Sequence, residues 1–318
     1  MDNTSDRGRH VGEHVIDASR VHHRWDRALE PTLEIASGDI VHFELLMSGH
    51  GQVDWGSPVE DVRFDFDTLY NLAGPVFVDG AERGDTLEIE VLELEPGEWG
   101  WTVVLPDLGL LADDFTEPFI RYFDIAESTV ARLTADVRVP IAPFLGTMGT
   151  HPYEPIVAPP FPPHRGGGNI DTRHIVAGAK LWLPIWHRGA YFSCGDPHAA
   201  QGDGEVCVSA IECAMGATLR FNLLKRTLAV PQFRVPRSAR RGDDLGGYHG
   251  TMGIDDDLME GAKTAVRAMI EWIEDEHGLS REDAYVLCSL AGDLKILEIV
   301  DAGVWNVGFT LPLEVFSA

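Results

Sequence analysis

Eleven consecutive residues, Gly195-Asp196-Pro197-His198-Ala199-Ala200-Gln201-Gly202-Asp203-Gly204-Glu205, bring three carboxylates, an imidazole and three glycines into one stretch. Their order fits neither a helical nor a strand period, so the stretch is expected to be a loop whose glycines let the backbone gather hard ligands. Asp, His and Glu in that company suit a divalent cation, a catalytic water, or both. The competing reading is a solvated acidic turn, because Gly-Asp and Asp-Gly pairs are ordinary turn chemistry. A second segment, Gly166-Gly167-Gly168-Asn169-Ile170-Asp171, is expected to be irregular as well. It lacks the Lys-Ser/Thr ending of a phosphate-binding P-loop, so it reads better as a loop positioning Asp171 and Asn169, with a flexible linker as the alternative. The third segment is Ser48-Gly49-His50-Gly51-Gln52-Val53-Asp54-Trp55-Gly56. His50 alone reads as a surface turn residue, whereas the carboxamides of Gln52, Asn169 and Gln201 are candidates to orient a small polar substrate through paired donors and acceptors.

The elements that must carry these segments are mostly strands. Thr86 to Glu95 alternates apolar and acidic residues almost strictly, the mark of a half-buried antiparallel strand, and Asp39 to Met47 reads similarly. Further β-like runs are Phe119 to Ile125, Leu133 to Val139, Lys180 to Trp186, Ala190 to Cys194, Glu205 to Cys213 and Ala217 to Leu223. The C-terminal part changes character. From Asp255 to His277 the apolar positions Leu258, Ala262, Ala265, Val266, Met269, Ile270 and Ile273 recur at helical spacing, behind an acidic start and before Gly278. Ser280 opens a shorter helix with a capping-box pattern, and Asp293 to Val300 returns to a strand. The expectation is a mainly β (α+β) fold, with N-terminal and central sandwich- or barrel-like regions and a C-terminal helical segment packed on a sheet. The corresponding divisions are a polar extension (1–23), an N-terminal β region (24–140), a central β region carrying the candidate loops (141–250) and a helix-helix-strand region (251–318).

Composition limits the partners. With 51 acidic against 25 basic side chains in 318 residues, the formal net charge is −26. Such a field repels phosphates, which argues against nucleic acid and against an anionic membrane surface. The residues from Met1 to His10 are polar and charged, and no apolar run approaches the length needed to cross a bilayer, so a soluble, cytoplasmic protein is expected. The four cysteines, Cys194, Cys207, Cys213 and Cys288, are too sparse for a disulfide scaffold and are expected as free thiols.

Several separated motifs, in order, give the chain a resemblance from about residue 24 to its C-terminus. They are Gly167-Gly168-Asn169-x-Asp171, the Gly195 to Glu205 stretch and Ala210-Ile211-Glu212. Supporting them are Leu72-Ala73-Gly74-Pro75, Asp79-Gly80-Ala81-Glu82-x-Gly84-Asp85, and Thr251-x-Gly253-Ile254 with Asp257-Leu258. Together they resemble the acetamidase/formamidase family. A departure stands at Val208-Ser209, where family members often carry Gly-Thr or Cys-Gly. The resemblance implies hydrolysis of a short aliphatic amide, such as acetamide or formamide, to carboxylate and ammonia, on a predominantly β fold, in a homo-oligomer with bound divalent metal.

Amide hydrolysis needs a polarised carbonyl, an activated water and a proton for the leaving amine. On this reading His198 with Asp171 and Asp196 holds the metal, zinc above others, which acts as Lewis acid and activates water. Asp203 is a further metal ligand, for the same ion or for a second, harder one such as calcium. Glu205 or Glu212 is the general base and later acid. Gln201 and Asn169 would bind the carboxamide or the developing oxyanion. Two alternatives stand beside it. One is a cysteine nucleophile at Cys194, disfavoured because a carboxylate-rich setting raises a thiol's pKa. The other is a non-catalytic metal-binding β protein.

Overall fold

Alternation in the Thr86 stretch is realised as a strand that runs on to Val104. Leu87, Ile89 and Val91 are almost wholly buried, each stabilising the fold by roughly 1.5–3 kcal/mol on transfer from water. The intervening acids meet donors from the two flanking strands. Glu88 accepts from Lys180 Nζ (3.0 Å), Trp182 Nε1 (2.8 Å) and Asn222 Nδ2 (3.0 Å), and Glu90 accepts from Arg220 Nη1 (2.8 Å). These are cross-strand neighbours, Trp182 and Asn222 opposite Glu88, Lys180 and Arg220 opposite Glu90.

The structure is a computed structural model that describes residues 11–236 and 247–316. Most strands join one 16-stranded sheet, nearly all antiparallel. Its main path runs through Gly167–Asn169, Phe144–Gly149, Phe192–His198, Glu212–Leu224, Thr86–Val104, Lys180–Pro184, Gln232–Pro236, Gly247–Asp255, Trp305–Pro312 and Asp293–Glu298. Ile40–Leu45 branches from Glu212–Leu224, and Leu72–Val78 from Phe192–His198. Of the expected N-terminal extension, residues 1–10 lie outside the described residues, while Glu13–Ile16 pairs in parallel with Ile40–Phe43.

The helix over Leu258–His277, α1, follows its sequence signals. Asp257 caps it by accepting from the backbone N–H groups of Met259 (2.8 Å) and Glu260 (3.0 Å), and Gly278 ends it in the left-handed region. Its buried face, including Ala265, Met269, Ile270 and Ile273, lies on the sheet beside Phe309 and Leu311. A second helix, α2, covers Arg281–Ala291. Among the described residues no helix is long and apolar enough to cross a membrane.

Four local expectations are corrected. Gly167–Asn169 is a strand, paired with Thr147–Gly149, because glycines let the two backbones approach where a side chain on Gly167 would overlap the Met148 carbonyl. Gly195 to His198 is not loop but the end of the strand Phe192–His198, and the loop begins only at Ala199. Conversely, Glu205 to Ile211 is irregular and its strand starts at Glu212. Of the run Leu133 to Val139, residues 133–137 are a turn between two short strands, Val130–Arg132 and Arg138–Pro140, the second of which takes in Val139.

Candidate active site

Three adjacent strands set the centre. Leu145↔Pro197 and Thr147↔Gly195 place Gly146 across from Asp196, and His198 sits opposite both Phe144 and Glu212. Asp171 follows directly on the paired Gly167–Asn169, and the loop from Ala199 returns Glu205 to the same point. Three of these acids have positive φ: Asp171 (40°), Asp196 (53°) and Glu205 (47°). Aspartate tolerates the left-handed region better than most residues, yet each such residue costs about 1 kcal/mol or more, which the surrounding sheet must offset.

The result is a buried knot of acids around one imidazole. Asp171, Asp196, His198, Glu205 and Glu212 are each at most 7% exposed, so the solvated-turn reading fails. His198 Nε2 lies 3.1 Å from Glu212 Oε2 and 3.3 Å from Asp196 Oδ2, while His198 Nδ1 is 3.7 Å from Asp171 Oδ1. Two sets of ligand atoms gather closely enough to share a cation: Asp171, His198 and Glu205, and Asp196, His198 and Glu212. Within them His198 Nε2, Asp171 Oδ1 and Glu212 Oε2 are buried without any hydrogen-bond partner. Buried polar atoms are seldom left so, and three in one place mark a site built for something else.

Surrounding groups hold these side chains in place. Gln201 Oε1 takes the His198 Nδ1–H at 2.9 Å, and its Nε2 donates to the Asp171 carbonyl at 3.0 Å. That fixes Nδ1 as the donor and turns the Nε2 lone pair toward the carboxylates, the arrangement expected of a ligating histidine. Ser48 Oγ donates to Asp196 Oδ1 at 2.5 Å, and the Ala210 N–H to Glu212 Oε1 at 3.0 Å. The Asn169 amide donates to both Asp171 Oδ2 (2.9 Å) and Asp301 Oδ2 (2.5 Å), and its oxygen accepts from Thr147 (2.5 Å). Gly146 closes the floor, for a Cβ there would lie 2.5 Å from both Asp171 Oδ1 and Asp196 Oδ2.

Electrostatics follow from burial and crowding. Burial first, then the charges of Asp301 and Asp196, push the Asp171 carboxyl well above the usual range. Burial and then Asp171 do the same to Glu205, and burial, only partly opposed by His198, raises Glu212. Asp196 goes the other way, because the His198 charge and the Ser48 hydroxyl outweigh its burial. Burial would lower His198, but the Glu212 and Asp196 charges overcome it and push the imidazole up. The same negative field is what a divalent cation would neutralise.

Not every expected residue comes to this point. Gln52 spends both ends of its amide on the turn at Asp65 to Thr68, accepting from Asp65 N (2.7 Å) and donating to Thr68 Oγ1 (3.2 Å), and it lines no part of the centre. Asp203 turns away to His174 Nε2 (3.0 Å) and Arg173 Nη1 (3.9 Å), and belongs to neither cation cluster. Asn169 and Gln201 are committed to Asp171, Asp301 and His198 and do not face the cavity above them. Cys194 sits in the apolar core with its thiol pushed well up by burial, which leaves it unsuited to nucleophilic attack. Missed by the sequence were Ser48, in a segment noted for other residues, and Glu298 and Asp301, whose acid-rich turn Glu298-Ile299-Val300-Asp301 was read only as a strand end. Glu298 is fully buried, its carboxyl raised by burial to about 7 against the opposing Val300 and Asp301 N–H groups.

Above the centre lies a cavity of about 350 Å³. Ser48, Asp196, His198, Glu205, Ser209, Glu212 and Asp301 form its polar part, and aromatic and aliphatic side chains form the rest. A largely apolar cavity with a few convergent polar groups defines a β-sheet protein with a candidate small-molecule site.

The Acetamidase/Formamidase family model matches residues 10–159 and 157–318, and the chain belongs to that family. An acetamidase structure from Bacillus halodurans is 30% identical with a TM-score of 0.85, covering 95% of this chain and 98% of that one. The formamidase of Methylophilus methylotrophus is 24% identical over 65% of this chain and 64% of its own length. The acetamidase of Mycolicibacterium smegmatis is 24% identical over 64% of this chain and 66% of its own. The chain thus spans just under two thirds of the length of the curated relatives it matches.

Proposed function

We propose that the chain is a metal-dependent amidohydrolase converting a primary carboxamide, the class that includes formamide and acetamide, to a carboxylate and ammonia. The observation that carries this reading is the convergence of His198 with four buried carboxylates, three of whose ligand atoms, counting the imidazole's, lack a partner, beneath a largely apolar cavity. Family membership and relatives named formamidase and acetamidase support the reaction class.

The donor set of one imidazole nitrogen and several carboxylate oxygens suits a divalent cation, zinc above others, held by His198 with Asp171 and Asp196 and the nearer of the two glutamates. When bound, the ion supplies Lewis acidity toward the carbonyl and makes water acidic enough to attack at neutral pH. The rest falls to the chain's own residues. Glu205 and Glu212 both face the cavity, so either reaches a water beside the substrate, takes its proton and returns one to the leaving nitrogen. Gln201 keeps the His198 imidazole in one tautomer. Asn169 ties Asp171 to Asp301, and the burial of these acids strengthens the charges among them.

Ammonia release from a panel of primary amides, before and after exhaustive chelation and in His198→Ala, tests this. The expected result is a loss of about 10²–10⁴-fold on chelation, recovered by zinc, and a comparable loss in the variant. Undiminished turnover after complete metal removal would sink the metal route, and silence on every amide would sink the reaction class.

A further inference from the structure

The cavity is much larger than the smallest carboxamides require. Acetamide, with four heavy atoms, displaces about as much space as three or four waters, roughly 90–120 Å³ at ~30 Å³ each. The cavity holds about 350 Å³, a size that elsewhere encloses ring-bearing ligands. Its wall is a run of touching rings. Trp101 meets Phe64 at 5.5 Å between centroids, Phe64 meets Phe66 at 6.5 Å, Phe66 meets Phe161 at 5.8 Å and Phe161 meets Tyr70 at 4.7 Å. Val103, Leu105 and Leu108 add aliphatic surface. Among the described residues neither lysine nor arginine lines it, and its floor is acidic, so an anionic substituent would meet repulsion without a counter-charge.

We propose that the cavity selects primary amides R–CO–NH₂ in which R is a neutral aryl or arylalkyl group, in preference to formamide and acetamide. The carboxamide sits on the acid–imidazole floor and R packs along the wall from Trp101 to Tyr70. This rests on the amidohydrolase reading above. In the reaction the amide C–N bond breaks, a C–O bond forms to the water oxygen, and both water protons leave with the nitrogen as ammonium, the other product being R–COO⁻. Burying a phenyl-sized group raises kcat/KM by about 10- to 100-fold, provided the contacts persist in the transition state.

The test measures kcat/KM for ammonia release from formamide, acetamide, isobutyramide, benzamide and phenylacetamide, alongside calorimetric binding of acetamide and phenylacetamide. Expected are a rise of at least about tenfold from acetamide to the aryl amides, and a fall in the phenylacetamide-to-acetamide ratio when Leu108→Trp or, independently, Leu105→Phe fills the cavity. Acetamide as the best substrate, with kcat/KM falling as R grows, overturns the size assignment and leaves the amidohydrolase reading standing. Tight binding of phenylacetamide with no amide hydrolysed keeps the aryl preference and overturns the reaction. Neither binding nor turnover overturns both.

Discussion

Two groups of acids in this molecule look alike in sequence and behave oppositely in the fold. Glu88 and Glu90, on the strand Thr86–Val104, face the donors of neighbouring strands, and every contact is a cross-strand pair. Against the cost of its burial, Lys180, Trp182 and Asn222 hold the Glu88 carboxyl below its usual value. Asp171, Glu205 and Glu212 are buried with one imidazole among them and are pushed up instead. A carboxylate matched by donors is part of the scaffold, while crowded acids with orphaned oxygens are a site awaiting a cation or a substrate. Density of acidic residues does not separate the two cases. The supply of donors does.

The comparison can be broken most severely at Gly146. Alanine there puts a methyl group 2.5 Å from Asp171 Oδ1 and Asp196 Oδ2, so the two carboxylates must part. The expected result is loss of bound metal by elemental analysis and a fall in turnover of about 10²-fold or more, with a stability cost of about 1–3 kcal/mol. Unchanged metal content and rate would mean that the centre lies elsewhere. Buried histidines sharpen the same contrast from the side of neutral groups. Burial takes His22 from 6.5 down to about 4, its ring nitrogens meeting Arg24 O and Ser193 Oγ, both at 2.9 Å. Below pH 6.5 the unfolded chain binds a proton there that the fold refuses, so stability falls as pH drops from about 6.5 toward 4, by roughly 2–3 kcal/mol. Urea midpoints across that range should fall less steeply in His22→Gln than in the native chain, and parallel slopes would refute the assignment. The smallest effect is expected at Glu88→Gln. Losing one partly exposed ion pair costs about 1 kcal/mol of stability and leaves amide turnover within about twofold. A large loss of activity there would erase the distinction between scaffold and site acids.

Legibility in the sequence divides along the same line. Helix α1 and the Thr86 strand were readable because their signals are local: an apolar period, a capping Asp257, a terminal Gly278. The strand Phe192–His198 was only half readable. Its last residues point polar side chains into a centre rather than apolar ones into the core, so the alternation that marks a strand is missing. Asp203 and Glu205 stand two residues apart in one glycine-rich loop, and nothing in the chain order says that one turns to His174 and the other to His198. Asp301 reaches Asn169 across 132 positions and left no local pattern to read.

By itself the sequence determined the β-rich class, the C-terminal helices, the family and the stretch that holds most of the candidate site, since periodicity, turn residues and motif order are properties of neighbouring residues. Only the tertiary structure decided which acids converge, which are spent on donors, and how much room lies above them. Those outcomes depend on strand register and on charges brought together from distant parts of the chain, and their burial and field exist only once the sheet has closed around them.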